Sequence, residues 1–228
     1  MFDPADAVAR CREEVEVAAE AGLRRACGEE DLAALAAVVD AAVSRALAER
    51  DPPPPPPACG PGCARCCVLN VGTLAVEGAA AARHLRAMMP PGEAAALGRA
   101  LLAAHDRVRW LEDRERIAHG LACPLLDLRG RCRVHPARPL ACRSVTSVDA
   151  EDCRRVTEAC DDEGEAPVVR MDVLQRVLYG EARAALAAVL ARRGLDSRCR
   201  DVSGMVGAFL ADPALVHAFL AGGRVPLE

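Results

Sequence analysis

The sequence contains no lysine and very few aromatic residues, and these absences exclude several functions. Without lysine there is no Schiff-base nucleophile and no P-loop lysine to bind a nucleotide phosphate. Aromatic residues make up only 2% of the chain, which is too few for a base-stacking surface that binds nucleic acid. The formal net charge of -4 gives no overall positive field for DNA, RNA or acidic lipid. We therefore expect no nucleic-acid partner.

Targeting and membrane signals are also missing from the sequence. The first eight residues have neither the basic region nor the apolar region of a signal peptide. The longest apolar tract, 205–220, is interrupted by Asp212 and Pro213, so no run reaches the ~18 residues of a transmembrane helix. We expect a cytoplasmic protein in a reducing compartment, with no membrane partner.

Two helices and a proline run are predicted for the N-terminal part of the chain. Asp3 followed by Pro4 is typical of a helix start, and apolar residues then recur at helical spacing until Gly28. A second helix is predicted over about 31–50, and the two helices should form a hairpin. Six prolines at 52–57 favour polyproline II, which is a stiff spacer. The predicted organisation is a hairpin at 1–51, a linker at 52–57 and a cysteine-cluster domain at 58–228.

The rest of the chain is predicted to be helical as well. No segment shows sustained alternation of apolar and polar residues, so few strands are expected. The fold class is therefore all-α, with two irregular segments, 58–72 and 120–148, that carry most of the cysteines. The predicted helices are one capped by Thr73 and running to Met89, one long helix over 93–119, one over about 150–160, one over 168–193 ended by Gly194, and two short helices on either side of Asp212-Pro213.

Twelve cysteines are the compositional outlier, and thiols clustered in a reducing compartment are typical of metal or redox sites. The first cluster contains Cys59, Cys63, Cys66 and Cys67 in a loop rich in glycine and proline. Thiolates separated by two or three residues on such a backbone can converge on one centre at about 2.3 Å each.

The second cluster lies more than fifty residues further along the chain. Cys132 and His135 have the C-x2-H spacing of a metal-binding pair. Cys123 precedes a proline, as the last ligand of many iron–sulfur clusters does. We predict that the ligands of a metal centre are Cys59, Cys63, Cys66, Cys67, Cys123, Cys132, Cys142 and His135.

The other cysteines are interpreted as structural. Cys11, Cys27 and Cys199 are each predicted to be small buried residues, because free cysteine often fills an apolar core. Cys153 and Cys160 lie seven residues apart on one helical face, about 10.5 Å along the axis, which is too far for one ion to bridge. They are predicted to be core or peripheral, although either could supply a single ligand.

The combined pattern, C-x3-C-x2-C-C followed by C-P-x-L and C-x-V-H-x-x-R-P-x-x-C-R, resembles the YkgJ-like cysteine-cluster family of zinc- or iron-chelating domains. The resemblance covers 58–143 and places all seven loop cysteines on the cysteine positions of the family, with Arg138-Pro139 and Arg143 on its R-P and C-R elements. His135 stands where many members carry tyrosine. Flagellin lysine-N-methylases resemble the same cysteine region but are larger.

The type of metal centre has two candidate answers. A 4Fe–4S cluster takes four thiolates, and Cys59, Cys63, Cys66 or Cys67, plus Cys123 or Cys142, would supply them. Cys-Pro together with the number of thiols favours this cluster. Alternatively, all eight residues could divide into two tetrahedral zinc sites, one with four thiolates and one with three thiolates and the imidazole. Arg65, Arg138 and Arg143 could donate hydrogen bonds to thiolate sulfur and offset its charge.

Two functional classes remain open. The centre could be structural or serve metal or redox handling, or the protein could be a metalloenzyme that modifies a peptide or protein side chain at an open coordination position. Radical S-adenosylmethionine chemistry is disfavoured, because Arg65 stands where that motif has an aromatic residue and no alternating strands are found. A copper-storage protein is a weaker alternative, because it would carry its thiols on helix faces, whereas these thiols lie in loops. The remaining histidines are predicted to be surface or hydrogen-bonded core residues: His84, His105, His119 and His217.

Overall fold

The computed structural model describes residues 2–158 and 168–227, and it confirms the all-α prediction with 63% helix and 3% strand. Cys160 and the end of the helix predicted over 150–160 lie outside these residues. In the described residues the helices are α1 Pro4–Arg25, α2 Glu29–Ala48, α3 Ala75–Met88, α4 Pro91–Val108, α5 Asp113–Ala118, α6 Leu140–Ser144, α7 Ala150–Glu158, α8 Val173–Arg192, α9 Val202–Ala211 and α10 Leu215–Leu220.

The predicted N-terminal hairpin is present. Asp3 caps α1 by accepting hydrogen bonds from the backbone N–H groups of Ala5 and Asp6. The helices α1 and α2 pack against each other, and they also pack on α8 and α3. One apolar core therefore includes residues of all four helices and of α9. The division of the chain at the proline run 52–57 stays a prediction.

The central pair of helices, α4 and α9, approaches very closely because glycine faces the contact on each side. A Cβ at Gly98 would lie 2.8 Å from the backbone nitrogen of Ala211. A Cβ at Gly207 would lie 2.9 Å from the Cβ of Leu101. Nearly the whole of α9 is buried, so this helix forms the centre of the molecule.

The structure corrects two predicted helix boundaries. Thr73 does not cap α3 but lies in a two-residue strand, β1 (Gly72–Thr73), which pairs antiparallel with β2 (Arg200–Asp201). The long helix predicted over 93–119 is broken into α4 and α5. The break is held by the buried Arg116 guanidinium, which donates a hydrogen bond to the Val108 carbonyl at 3.0 Å and pairs with Asp201 at 2.8 Å.

No helix among the described residues is long and apolar enough to span a membrane.

Candidate metal centre

The two cysteine-bearing segments meet through their backbones. The N–H group of Cys123 donates a hydrogen bond to the carbonyl of Cys67 at 2.7 Å. Residues 126–132 form a turn in which Asp127 accepts hydrogen bonds from the N–H groups of Arg129 and Arg131. The backbone of Gly130 in this turn lies against the Gly62 carbonyl, where a Cβ would approach to 3.3 Å. The first loop therefore packs directly on the second.

A cleft of about 1540 Å3 runs between these segments and the helices α3, α4 and α5. Every predicted ligand lines it: Cys59, Cys63, Cys66, Cys67, Cys123, Cys132, Cys142 and His135. All described cysteines are free thiols, and Cys160 is not among the residues described. The structure thus brings residues from both predicted clusters to one cleft, although the His135 side chain is largely exposed.

Five thiols form an inner group in this cleft, comprising Cys66, Cys67, Cys123, Cys132 and Cys142. Burial raises the pKa of Cys142, and the neighbouring thiols of Cys123, Cys132 and Cys66 raise it further. A hydrogen bond with Cys67, together with burial, raises the pKa of Cys66. Burial also raises the pKa of Cys123 to about 11. The raised pKa values favour the protonated form of Cys66, Cys123 and Cys142 until a cation compensates the charge of the thiolates.

Arg138 supplies the compensating charge of the inner group. Its positive charge lowers the pKa of Cys66, Cys132 and Cys142. The Nε atom of Arg138 is buried and has no hydrogen-bond partner among the described residues. A buried N–H donor of this kind is costly unless an acceptor is supplied, and thiolate or sulfide sulfur is such an acceptor. The donor set and this unpaired N–H therefore fit a thiolate-bound metal or cluster.

Three further thiols, those of Cys59, Cys63 and Cys153, form an outer group, in which Cys59 and Cys153 interact with Ser147. The backbone N–H of Ser147 donates to the sulfur of Cys59 at 3.4 Å. Burial raises the pKa of Cys153 while the Ser147 hydroxyl lowers it, and the thiols of Cys59 and Cys63 are close enough to raise it as well. Cys153 was predicted to be core or peripheral and stood outside the predicted ligand set. In the sequence, the only feature that relates Cys153 to the second cluster is its position ten residues after Arg143 of the C-R element.

The α7 helix is fixed beside the outer group by Asp152. This buried carboxylate accepts hydrogen bonds from the backbone N–H and the Nε of Arg170, at 3.1 and 2.8 Å. The Ser147 hydroxyl lies within hydrogen-bond distance of the carbonyls of Asp149 and Arg170, at 2.7 and 3.1 Å, and accepts from the N–H of Asp149 at 3.0 Å. These contacts hold Cys153, which follows Asp152 in the chain, toward the first cysteine loop.

The inner group is fixed from the core side by Glu77 of α3. One oxygen of this fully buried carboxylate accepts from the N–H of Leu74 at 2.8 Å, and the other accepts from the N–H of Leu140 at 2.6 Å. Leu140 begins α6, so Glu77 sets the position of Cys142 two residues later. Glu77 was not singled out from the sequence, because its second partner lies 63 residues away.

The thiols share a cleft but are not assembled as finished ligand sets. Across residues 2–158 and 168–227, no three His, Cys, Asp or Glu side chains are arranged so that they could hold a metal ion. Rotation of the cysteine side chains or small shifts of the loops would bring the thiols together, and the binding free energy of a structural metal can drive such a change.

Three predictions for the other cysteines can be compared with the structure. Cys11 is buried in the core, as predicted. Cys27 is exposed, so the prediction of a core position is wrong; it lies after the end of α1 and its thiol donates to Asp31 at 3.3 Å. Cys199 is half-buried, and Arg183 donates to its sulfur at 3.3 Å.

Together, the fold and the cleft define a helical protein whose cysteine-rich loops form a candidate metal site. Residues 58–161 match the family model of the CxxCxxCC domain, described as a putative zinc- or iron-chelating domain. The match extends beyond residue 143, the end of the resemblance in the sequence analysis, and includes Cys153. Comparison with the curated proteins and with the solved structures gives no match.

Proposed function

We propose that the inner group of thiols binds a 4Fe–4S cluster that ties the two cysteine loops to the helical core. The observation that supports the proposal is that Cys142 lies near Cys66, Cys123 and Cys132. Three of these four thiols, all but Cys123, also lie near Arg138, whose buried Nε has no hydrogen-bond partner among the described residues. Four thiolates saturate such a cluster, and its sulfides accept hydrogen bonds. The group would supply either structural cross-linking or one-electron transfer; the protein residues would hold it and set its potential through Arg138.

A structural contribution follows from the composition of the loops. Segment 58–72 contains only a four-residue 3₁₀ helix and the short strand β1, and most of its residues before Gly72 are exposed or half-buried. Loops of this kind bury too little apolar surface to offset the entropy of ordering them. A cross-link by metal–thiolate bonds compensates for this deficit, as it does in small metal-binding domains.

Zinc bound at two sites is the second candidate, and the outer group of thiols favours it. In the outer group, Cys153 lies near Cys59 and Cys63, and Ser147 hydrogen-bonds to Cys59. Cys66 is the one thiol of the inner group that also lies near Cys153. Three thiolates and one further ligand complete a tetrahedral zinc site. Under this alternative the inner group would hold the second ion.

A metalloenzyme is the alternative at the level of function. The cleft is large enough to admit a side chain of a peptide or protein, and Met88 and Met89 contribute to its apolar wall. This alternative needs a ligand position left open for a substrate, whereas a centre with four thiolates is closed.

Anaerobic purification followed by absorption spectroscopy and elemental analysis tests the proposal. A broad band at roughly 400 nm with stoichiometric iron and acid-labile sulfide supports the cluster. Colourless protein with two zinc ions per chain supports the second candidate and overturns the first. Cys142→Ser should lower the metal content, with Cys11→Ser, a buried thiol in α1, as the matched control.

A further inference from the structure

A second cavity, of about 530 Å3, lies between the C-terminal end of α4 and the ribbon formed by β1 and β2. It adjoins the cysteine cleft, since Asn70 and Asp201 line both. Its volume falls in the range of cavities that bind small molecules, roughly 300–1,000 Å3. None of the predicted metal ligands lines it.

His105 is the unexplained group of this cavity. His105 is only 3% exposed, and neither its Nδ1 nor its Nε2 atom has a hydrogen-bond partner within the described part of the chain. The ring packs on α9, where a Cβ at Gly204 would lie 2.6 Å from Nδ1. From the sequence, His105 was predicted to lie on the surface or to be hydrogen-bonded in the core, and that prediction is wrong. Two unpaired nitrogens in a buried ring are costly, so a polar partner is expected in the cavity.

His105 is in its neutral form at neutral pH, because burial lowers its pKa. A neutral imidazole offers one N–H donor and one nitrogen acceptor. It can therefore bond to a ligand that itself carries an acceptor and a donor, such as a hydroxyl group or a water held by the ligand.

The cavity wall carries one guanidinium, that of Arg200, that forms no ion pair with a carboxylate among the described residues. Arg200 donates to the carbonyls of Leu227 and Cys199, at 3.4 and 3.2 Å, and neither acceptor is a carboxylate. The guanidinium of Arg109 lies 4.7 Å from the ring centroid of Trp110. The acidic residue of the cavity, Asp201, is already engaged by Arg116 and by Ser203 at the start of α9. An anion is the ligand that this distribution of charge favours.

We propose that this cavity binds a small molecule bearing a carboxylate or phosphate group. The oxyanion lies against Arg200, and a second polar group of the molecule hydrogen-bonds to His105. The site is built from residues outside the metal centre, so the inference stands independently of which metal the cysteines bind.

Trp110 makes the proposal directly measurable. It is the only tryptophan in the chain, it lines this cavity, and it is 75% exposed. The full-length protein is titrated with inorganic phosphate and, separately, with malonate, at constant ionic strength set with chloride. Tryptophan fluorescence is recorded, and calorimetry measures the heat of binding. A saturable response to one or both probes is expected.

Substitutions in the cavity distinguish binding at this site from a general effect of salt on the protein. Arg200→Gln and His105→Gln should each weaken binding by about tenfold or more, since each removes a group that hydrogen-bonds the ligand. Arg24→Gln, an exposed arginine in the last turn of α1, is the matched control and should leave binding unchanged. Circular dichroism checks that each variant is folded; if His105→Gln unfolds, Arg200→Gln decides the result.

The two probes also identify the source of the oxyanion. Saturation with phosphate alone assigns the site to phosphate esters, and saturation with malonate alone assigns it to organic acids. A response that is linear in both probes, or that is unchanged in Arg200→Gln, overturns the proposal.

Discussion

Replacing Glu77 with alanine should destabilise the protein strongly, because two buried backbone N–H groups depend on this one carboxylate. The N–H groups of Leu74 and Leu140 both donate to the Glu77 carboxylate, and neither has another hydrogen-bond acceptor in the described residues. A buried donor left without its acceptor costs about 1–3 kcal/mol, so the two together cost about 2–6 kcal/mol. For a chain of this length about 4 kcal/mol corresponds to a fall in Tm of roughly 8–16 °C.

The assay is thermal unfolding followed by far-ultraviolet circular dichroism, on the metal-loaded protein. Glu30→Ala is the matched control, since Glu30 is an exposed acid that pairs with Arg83 and its loss should cost under about 1 kcal/mol. Glu77→Ala should also lower the metal content, because Leu140 precedes Cys142 by two residues. A Tm within 2–3 °C of the control would refute the assigned role of Glu77.

Three further outcomes are expected. Removing the metal with a chelator under anaerobic conditions should lower the Tm and increase proteolysis within 58–72. The helices α1 and α2 should stay protected from proteolysis, and an equal loss of protection in this hairpin would count against a local role of the centre. Burial raises the pKa of Asp196, but the hydrogen bonds from Arg198 and the Val225 N–H outweigh this and hold the pKa at about 2. The contribution of Asp196 to stability should therefore be complete above about pH 4 and be lost as the pH falls toward 2. Asp196→Asn should make the acid decline shallower and cost about 1–3 kcal/mol at neutral pH, measured by urea unfolding. Gly207→Leu should prevent the close contact of α4 and α9 and leave little folded protein by circular dichroism, whereas Gly180→Ala, at an open position of α8, should have no such effect.

The helices could be predicted from the sequence where local signals set them. Asp3-Pro4 fixes the start of α1, and Gly194, in the left-handed conformation at φ +71°, follows the end of α8. The break between α4 and α5 could not be predicted, because it depends on Arg116 reaching Asp201 across the molecule. Thr73 was misassigned for the same reason, since its strand partner Arg200 is distant in the chain.

The cysteine site shows the same division between local and distant information. Spacing and loop composition identified the seven loop cysteines, all of which line the cleft. Cys153 was predicted to be core or peripheral, with a single ligand as the alternative, because its proximity to Cys59 and Cys63 arises only when Asp152 and Arg170 place α7 beside the first loop. The unpaired nitrogens of His105 are likewise a property of packing, and no sequence pattern carries them.

X-ray absorption spectroscopy of the anaerobically purified protein, at the edge of the metal it contains, tests the central claim most directly. The account predicts a first coordination shell dominated by sulfur at about 2.3 Å, which is diminished in Cys142→Ser and retained in Cys11→Ser. A shell made only of oxygen and nitrogen, or one identical in both variants, would contradict it.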